Sequence, residues 1–208
     1  MKDVKIKICG LKRMEDIAYA NRYQPDYVGF IINFPKSHRS KTPQEVEILA
    51  RELSDSIQKV GVFVDEPAET PITMANQGII DVIQLHGNED EDYIQTLRSR
   101  CRAKIIKAFT IRGAADIRAA KESSADYVLL DQGKGSGQVF DWSWIPGDFG
   151  RAYFLAGGLT PENIDDAYGR LHPWAMDISS GVETNQQKDE GKIKSILDWR
   201  NEKEGNGK

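Results

Sequence analysis

Two side chains that could move protons stand at the ends of short apolar runs: Cys9 after Lys5-Ile6-Lys7-Ile8, and Asp131 after Tyr127-Val128-Leu129-Leu130. A thiol removes a proton once ionised, and Lys7, two residues back on the same face of a strand, would favour the thiolate. Gly10 would let the chain turn away and leave the sulfur exposed. A lone cysteine in a strand is otherwise a small buried hydrophobe, and the spacing alone leaves both readings open. Partial desolvation would keep the Asp131 carboxyl protonated and able to act as a general acid; a turn or capping carboxylate is the plain alternative.

Two later segments have the composition of anion cradles. Ala156-Gly157-Gly158-Leu159 runs into Thr160-Pro161, and Ser179-Ser180-Gly181-Val182-Glu183 follows Asp177-Ile178. Glycines let backbone N–H groups approach phosphate, and a helix beginning at Thr160-Pro161 would add its dipole. Arg39, in Pro35-Lys36-Ser37-His38-Arg39-Ser40, could fork onto a substrate carboxylate or remain a solvated loop cation. His86 ends a strand; it reads first as a hydrogen-bonded structural histidine, and second as a substrate contact. The run Gln132-Gly133-Lys134-Gly135-Ser136-Gly137 has the wrong order for a nucleoside triphosphate loop. His38 and His172 show no partner pattern, so no metal site is expected.

The elements that must position these groups repeat. Apolar runs at 5–9, 27–32, 59–64, 82–86, 105–109, 127–131, 153–156 and 175–179 start 22 to 32 residues apart, the length of one strand-helix unit. Between them lie helical patterns such as Glu15–Tyr23 and Pro43–Leu53. Thr42-Pro43 and Thr160-Pro161 each offer a capping hydroxyl before a proline suited to the first helical position. Only the sixth unit, Phe140–Gly150 with Pro146 and two glycines, argues for an irregular element. Eight units predict an α/β fold, a single (β/α)8 barrel of parallel strands over 1–200, with a frayed polar tail at 201–208; an open doubly wound sheet is the alternative. In a barrel, alternation aims Lys7, Cys9, Gln84, His86, Asp131, Asp177 and Ser179 at the axis. The two glycine-rich segments then follow strands seven and eight, where barrels frequently bind phosphate.

With 208 residues, 39% of them hydrophobic and 29% charged, one core is the simplest reading. A net charge of −4 offers no attraction to nucleic acid or an anionic membrane, so a small-molecule substrate is expected. Two cysteines without C-x-x-C spacing, and no apolar stretch resembling a leader or membrane span, suit a soluble cytoplasmic protein.

Lys7-Ile8-Cys9-Gly10-Leu11, Ser37-His38-Arg39, Gln84-Leu85-His86-Gly87, Leu130-Asp131, Phe140-Asp141-Trp142, Ala156-Gly157-Gly158-Leu159 and Asp177-Ile178-Ser179-Ser180-Gly181-Val182-Glu183 together resemble phosphoribosylanthranilate isomerases, in order and over nearly the whole chain. The resemblance implies an aldose-ketose isomerase, an intramolecular oxidoreductase of tryptophan biosynthesis. Its reaction would be the Amadori rearrangement of N-(5'-phosphoribosyl)anthranilate to 1-(2-carboxyphenylamino)-1-deoxyribulose 5-phosphate, with no metal or organic cofactor. It further implies Asp131 as the acid that protonates the furanose oxygen and Cys9 as the base that takes the C2 proton. Arg39 would hold the anthranilate carboxylate and Asp177 the amine side, while Gly157, Gly158, Ser179, Ser180 and Gly181 would bind phosphate. Gly135, Ser136 and Gly137 would belong to a loop over the site, shorter here than in many family members. A monomer or weak homodimer is expected. Alternatives are another sugar-phosphate barrel, such as an epimerase or the next synthase of the pathway, for which Lys107 is the tempting strand-end lysine, or a non-catalytic barrel that binds a phosphometabolite.

Overall fold

The computed structural model describes residues 4–131 and 144–205. In chain order the elements are β1 (Lys5–Cys9), α1 (Met14–Tyr23), β2 (Tyr27–Ile32), β3 (Ser40–Lys41), α2 (Pro43–Arg51), β4 (Gln58–Phe63), α3 (Glu69–Asn76), β5 (Val82–Leu85), α4 (Glu91–Arg100) and β6 (Lys104–Thr110). They continue with α5 (Ala114–Glu122), β7 (Tyr127–Asp131), β8 (Tyr153–Leu155), α6 (Ile164–Leu171), β9 (Ala175–Ile178), a 3-10 turn at Ser180–Val182, the hairpin β10 (Glu183–Thr184) and β11 (Gln187–Lys188), and α7 (Glu190–Gly205). Eight strands pair in parallel in the order β1-β9-β8-β7-β6-β5-β4-β2, and β1 pairs with β2 to close the ring. The barrel expected from the strand spacing is therefore present, with strand bounds within one residue of the apolar runs.

Alternation along the strands divides the core into two shells. Ile6, Ile8, Ile83, Leu85, Val128, Leu130, Met176 and Ile178 face outward beneath the helices. Cys9, Val60, Val62, Val82, Ile106, Ala108, Leu129 and Phe154 fill the barrel interior. Its N-terminal end is plugged by aromatics: Tyr127 stacks on Trp174 with centroids 4.7 Å apart, while Tyr27 and Phe154 meet the indole edge-on. Ligand access is thereby confined to the C-terminal mouth.

A repeated carboxylate fixes the strand starts. Asp26, before β2, accepts from the Ile6 N–H of β1 at 2.9 Å; Asp81, before β5, accepts from Lys59 of β4 at 2.8 Å; Asp126, before β7, accepts from Ile105 of β6 at 3.0 Å. Each ties the start of its own strand to a backbone N–H of the preceding strand and so helps set the register.

Thr42 caps α2 as expected: its hydroxyl accepts from the Glu45 N–H, and the Glu45 carboxylate accepts from the Thr42 N–H at 2.8 Å. Thr160-Pro161 does not start a helix. The Thr160 N–H is taken by the Asn163 side chain at 2.8 Å, a turn occupies 161–163, and α6 begins at Ile164. Of the polar tail expected over 201–208, the stretch to Gly205 is the end of helix α7, and residues 206–208 lie outside the described residues. In the sixth unit the described residues 144–152 contain no α-helix, and Ile145 and Phe149 cover the barrel wall instead. Among the described residues no helix is long and apolar enough to cross a membrane.

Candidate active site

Cys9 ends β1 on the inward face, and Gly10 turns the chain with φ +84° while its N–H donates to the Gly29 carbonyl at 2.8 Å. The sulfur is not left exposed as expected, because Cys9 is only 7% accessible. It lies against Gly29 of β2, where an added Cβ would sit 2.7 Å from Sγ and 3.1 Å from Lys7 Nζ. Lys7 is fully buried, and its ammonium donates to Asp177 Oδ2 at 2.8 Å. Burial pushes the Cys9 thiol up, Lys7 and Lys188 pull it down, Asp177 pushes it up, and the net shift is upward. Lys7 therefore favours the thiolate as the sequence suggested, but burial outweighs it. Lys7 itself is raised, since Asp177 and Cys9 overcome the burial penalty.

Asp131 ends β7, three places from β1 around the barrel, with β9 and β8 between. Its Oδ2 lies 3.3 Å from His86 Nε2. The Gln84 side-chain amide lies within hydrogen-bond reach of His86 Nδ1, at 3.2 Å, on the side of the ring away from Asp131. Gln84, 1% exposed inside the barrel, thus holds the imidazole in its place beside Asp131. His86 is brought to Asp131 as a hydrogen-bonded side chain.

Arg39 departs from its expected setting. It is buried, and its Nε and Nη2 each donate at 2.6 Å to the two oxygens of Glu183, so the fork is filled by a protein carboxylate. Among the described residues Nη1 makes no hydrogen bond. Glu183 also accepts from Lys188 Nζ at 2.8 Å, and Lys188 donates to the Ser179 carbonyl at 2.9 Å. Burial opposes ionisation of Glu183, but the hydrogen bonds from Arg39 and Lys188 overcome it and bring its carboxyl down to about 2.

The two glycine-rich loops meet. A Cβ on Gly181 would fall 1.8 Å from the Leu159 carbonyl oxygen, so only glycine allows this approach. Gly157 and Gly158 take φ of +96° and +67°, and among the described residues their N–H groups have no hydrogen-bond acceptor. The Ser179 hydroxyl donates to the Cys9 carbonyl at 3.1 Å and ties this cradle to the thiol strand. With α6 starting only at Ile164, the cradle consists of loop amides without the helix dipole expected after Thr160.

Asp177 Oδ1 and Gln84 Oε1 are buried at the mouth without a hydrogen-bond partner among the described residues. Lys107 is not at the mouth. On β6, Ile106 and Ala108 face the interior, which turns Lys107 outward to bond Glu89 and the Gly87 carbonyl, each at 2.8 Å. Gly135, Ser136 and Gly137, and Phe140-Asp141-Trp142, lie outside the described residues.

Sequence reasoning missed Lys188 and the pairing role of Glu183. Thr184–Glu190 reads as a solvated polar stretch. The inward turn of Lys188 depends on the tight hairpin whose tip residues, Asn185 and Gln186, both have positive φ.

A sequence model of the family described as N-(5'-phosphoribosyl)anthranilate isomerase matches residues 6–199. An N-(5'-phosphoribosyl)anthranilate isomerase of Endomicrobium trichonymphae is 41% identical over 195 residues, covering 91% of this chain and 94% of that one. The crystal structure of the phosphoribosylanthranilate isomerase of Thermotoga maritima superposes with a TM-score of 0.84 at 34% identity, covering 96% of this chain and 99% of that one. A further isomerase structure, in complex with reduced 1-(o-carboxyphenylamino)-1-deoxyribulose 5-phosphate, superposes with a TM-score of 0.82 at 33% identity over the same shares.

Proposed function

The chain belongs to the N-(5'-phosphoribosyl)anthranilate isomerase family, and on that premise we propose how its own residues divide the labour of the reaction. The activity is an aldose-ketose isomerisation in tryptophan biosynthesis, the conversion of N-(5'-phosphoribosyl)anthranilate to 1-(2-carboxyphenylamino)-1-deoxyribulose 5-phosphate. Asp131, oriented by His86, gives its proton to the furanose oxygen as the C1–O bond breaks, leaving a Schiff base between C1 and the anthranilate nitrogen. Cys9, as thiolate, removes the C2 proton; the electrons move to form the C1–C2 enol-amine, which tautomerises to the ketone. The thiol and Asp131 then return to their starting states by proton exchange with water or product.

The observation that carries this division is that Cys9 and Asp131 end different strands on the inward face of one mouth, with an orphaned carboxylate oxygen on Asp177 between them in strand order. A buried acceptor without a donor is costly, and the substrate amine or a sugar hydroxyl would satisfy it. The amides of Gly157, Gly158, Ser180 and Gly181 hold the phosphate in this reading, with Ser179 buttressing the cradle. Arg39 approaches the anthranilate carboxylate through Nη1 alone, and His86 positions the acid instead of touching substrate. In this reading the enzyme works as a monomer or weak homodimer in the cytoplasm. The synthase alternative loses its support because Lys107 faces outward.

The test is turnover followed by the loss of substrate fluorescence. Cys9→Ala and Asp131→Asn are each expected to lower kcat by at least about 10²-fold with KM little changed. Near-normal kcat in a folded variant overturns the role of the residue replaced.

A further inference from the structure

Among the described residues the mouth contains three buried cations, Lys7, Arg39 and Lys188, against two carboxylates with buried side chains, Asp177 and Glu183. Lys7 pairs with Asp177 at 2.8 Å, and Arg39 forks onto Glu183 at 2.6 Å through each of two nitrogens. Each of these pairs is balanced. Among the described residues Lys188, 4% exposed, has no carboxylate of its own and shares Glu183 Oε1 with Arg39 Nε. A buried ammonium in excess is costly unless another group supplies negative charge. Cys9 is a neighbouring group able to do so: its thiolate and the Lys188 ammonium act on each other, and its carbonyl is bonded by Ser179, the residue whose own carbonyl holds Lys188 Nζ.

We propose that Lys188 is a positioning residue for the isomerisation: held by Glu183 and the Ser179 carbonyl, its charge makes the Cys9 thiolate the electrically balanced state of the buried mouth. This rests on the reading of Cys9 as base and adds the second cation, from the β10–β11 hairpin, to the Lys7 contribution from the thiol's own strand. The charged groups facing this cluster are Lys7 on β1, Asp177 on β9, Arg39 and His38 on the loop after β2, and Glu183 and Lys188 on the hairpin; His38 Nε2 lies 3.7 Å from Glu183 Oε2. The hairpin is itself anchored to the loop after β1, since Arg13 donates to Gln187 Oε1 at 2.6 Å and Lys12 to the Gln186 carbonyl at 2.9 Å. Burial is the largest influence on both groups and leaves the thiol shifted upward and Lys188 downward; against it the Lys188 charge lowers the thiol, the smallest of the named influences there, and the thiolate raises Lys188.

The competing role for Lys188 is to meet an anion of the substrate, and the experiment separates the two. Alkylation of the full-length protein by iodoacetamide is followed against pH, with peptide mass spectrometry reading Cys9 and Cys101 separately. Lys188→Gln keeps an amide donor for the Ser179 carbonyl and removes the charge. It is expected to slow Cys9 alkylation about tenfold below the thiol's pKa and to move the acid limb of kcat up by about one unit. KM and inhibition by inorganic phosphate should change less than about twofold, Cys101 should react as before, and Lys188→Arg should restore the profile. Lys188→Met serves as the second uncharged variant and gives the answer if the Gln variant does not fold. Unchanged Cys9 alkylation in a folded uncharged variant overturns the proposal, whether or not KM and phosphate inhibition move. Alkylation is independent of turnover, so failure of Cys9 as the base, seen as an active Cys9→Ala enzyme, is distinguishable from failure here.

Discussion

Gly29→Ala tests whether the position of the thiol governs the chemistry. The new methyl would lie 2.7 Å from Cys9 Sγ, 3.1 Å from Lys7 Nζ and 3.3 Å from Cys9 Cα. Contacts of this kind are comfortable at roughly 3.5–4.0 Å, so the sulfur must withdraw by about 1 Å. It cannot do so by moving the backbone cheaply, because Cys9 and Gly29 are paired in register within the closed barrel. Nor can Lys7 yield freely, since its ammonium is fixed on Asp177. Overpacking of this size costs about 1–3 kcal/mol, which for a chain of this length lowers Tm by about 2–4 °C per kcal/mol. A displacement of about 1 Å at a reacting atom costs on the order of 10²-fold in rate. Gly29→Ala should therefore remain folded at 25 °C, melt several degrees early, and lose about 10²-fold in kcat with little change in KM. The assay pairs fluorescence-monitored turnover with a thermal melt. Wild-type kcat in a variant carrying the methyl would refute the proposed role of Cys9 as the base.

Asp177→Asn leaves Lys7 buried without a carboxylate and is expected to cost about 3–5 kcal/mol in denaturant melts; a loss below about 1 kcal/mol would show that the pair is not the buried ion pair described. Glu183 is depressed to about 2 because its hydrogen bonds to Arg39 and Lys188 overcome burial, so its stabilisation is full at neutral pH and is lost as pH falls from the ordinary carboxylate range through about 2. Thermal melts from pH 5 to pH 2 should show this slope, and Glu183→Gln should flatten it. Lys107→Met breaks the buried pair with Glu89 and should cost about 3 kcal/mol while leaving kcat/KM within about twofold; a drop beyond tenfold would place Lys107 in the chemistry.

The barrel was legible because strand alternation is local. Ile6 and Ile8 against Lys7 and Cys9 already divide the outer shell from the interior, and the same rule applied to Ile106 and Ala108 would have turned Lys107 away from the mouth. The Thr42 cap was legible for the same reason, whereas Thr160 failed because Asn163, three residues on, captures its N–H in a turn. Pairings across the chain left no local signal. Arg39 and Glu183 meet over 144 residues, and nothing near Arg39 indicates that a protein carboxylate fills its fork. Cys9 was legible as an inward residue but not as a buried one, because its exposure depends on how closely Gly29 packs on the sulfur and Arg39 and Ser179 pack around Gly10.

Burial of the thiol is compatible with its proposed role as base. A thiolate that is harder to form is also a stronger base, so raising its pKa increases the driving force for taking the C2 proton while reducing the fraction ionised. Desolvation supplies the first effect at Cys9, and Lys7 and Lys188 limit the second. The proposed order of steps adds a third influence: once Asp131 has protonated the ring oxygen, the Schiff base of the opened sugar can itself carry positive charge, which stabilises a neighbouring thiolate when it is needed. On this account, removing a mouth cation makes the base scarcer without making it weaker. The rate deficit of Lys188→Gln should therefore shrink as pH rises past the shifted thiol pKa, whereas a deficit caused by lost substrate binding would persist at every pH.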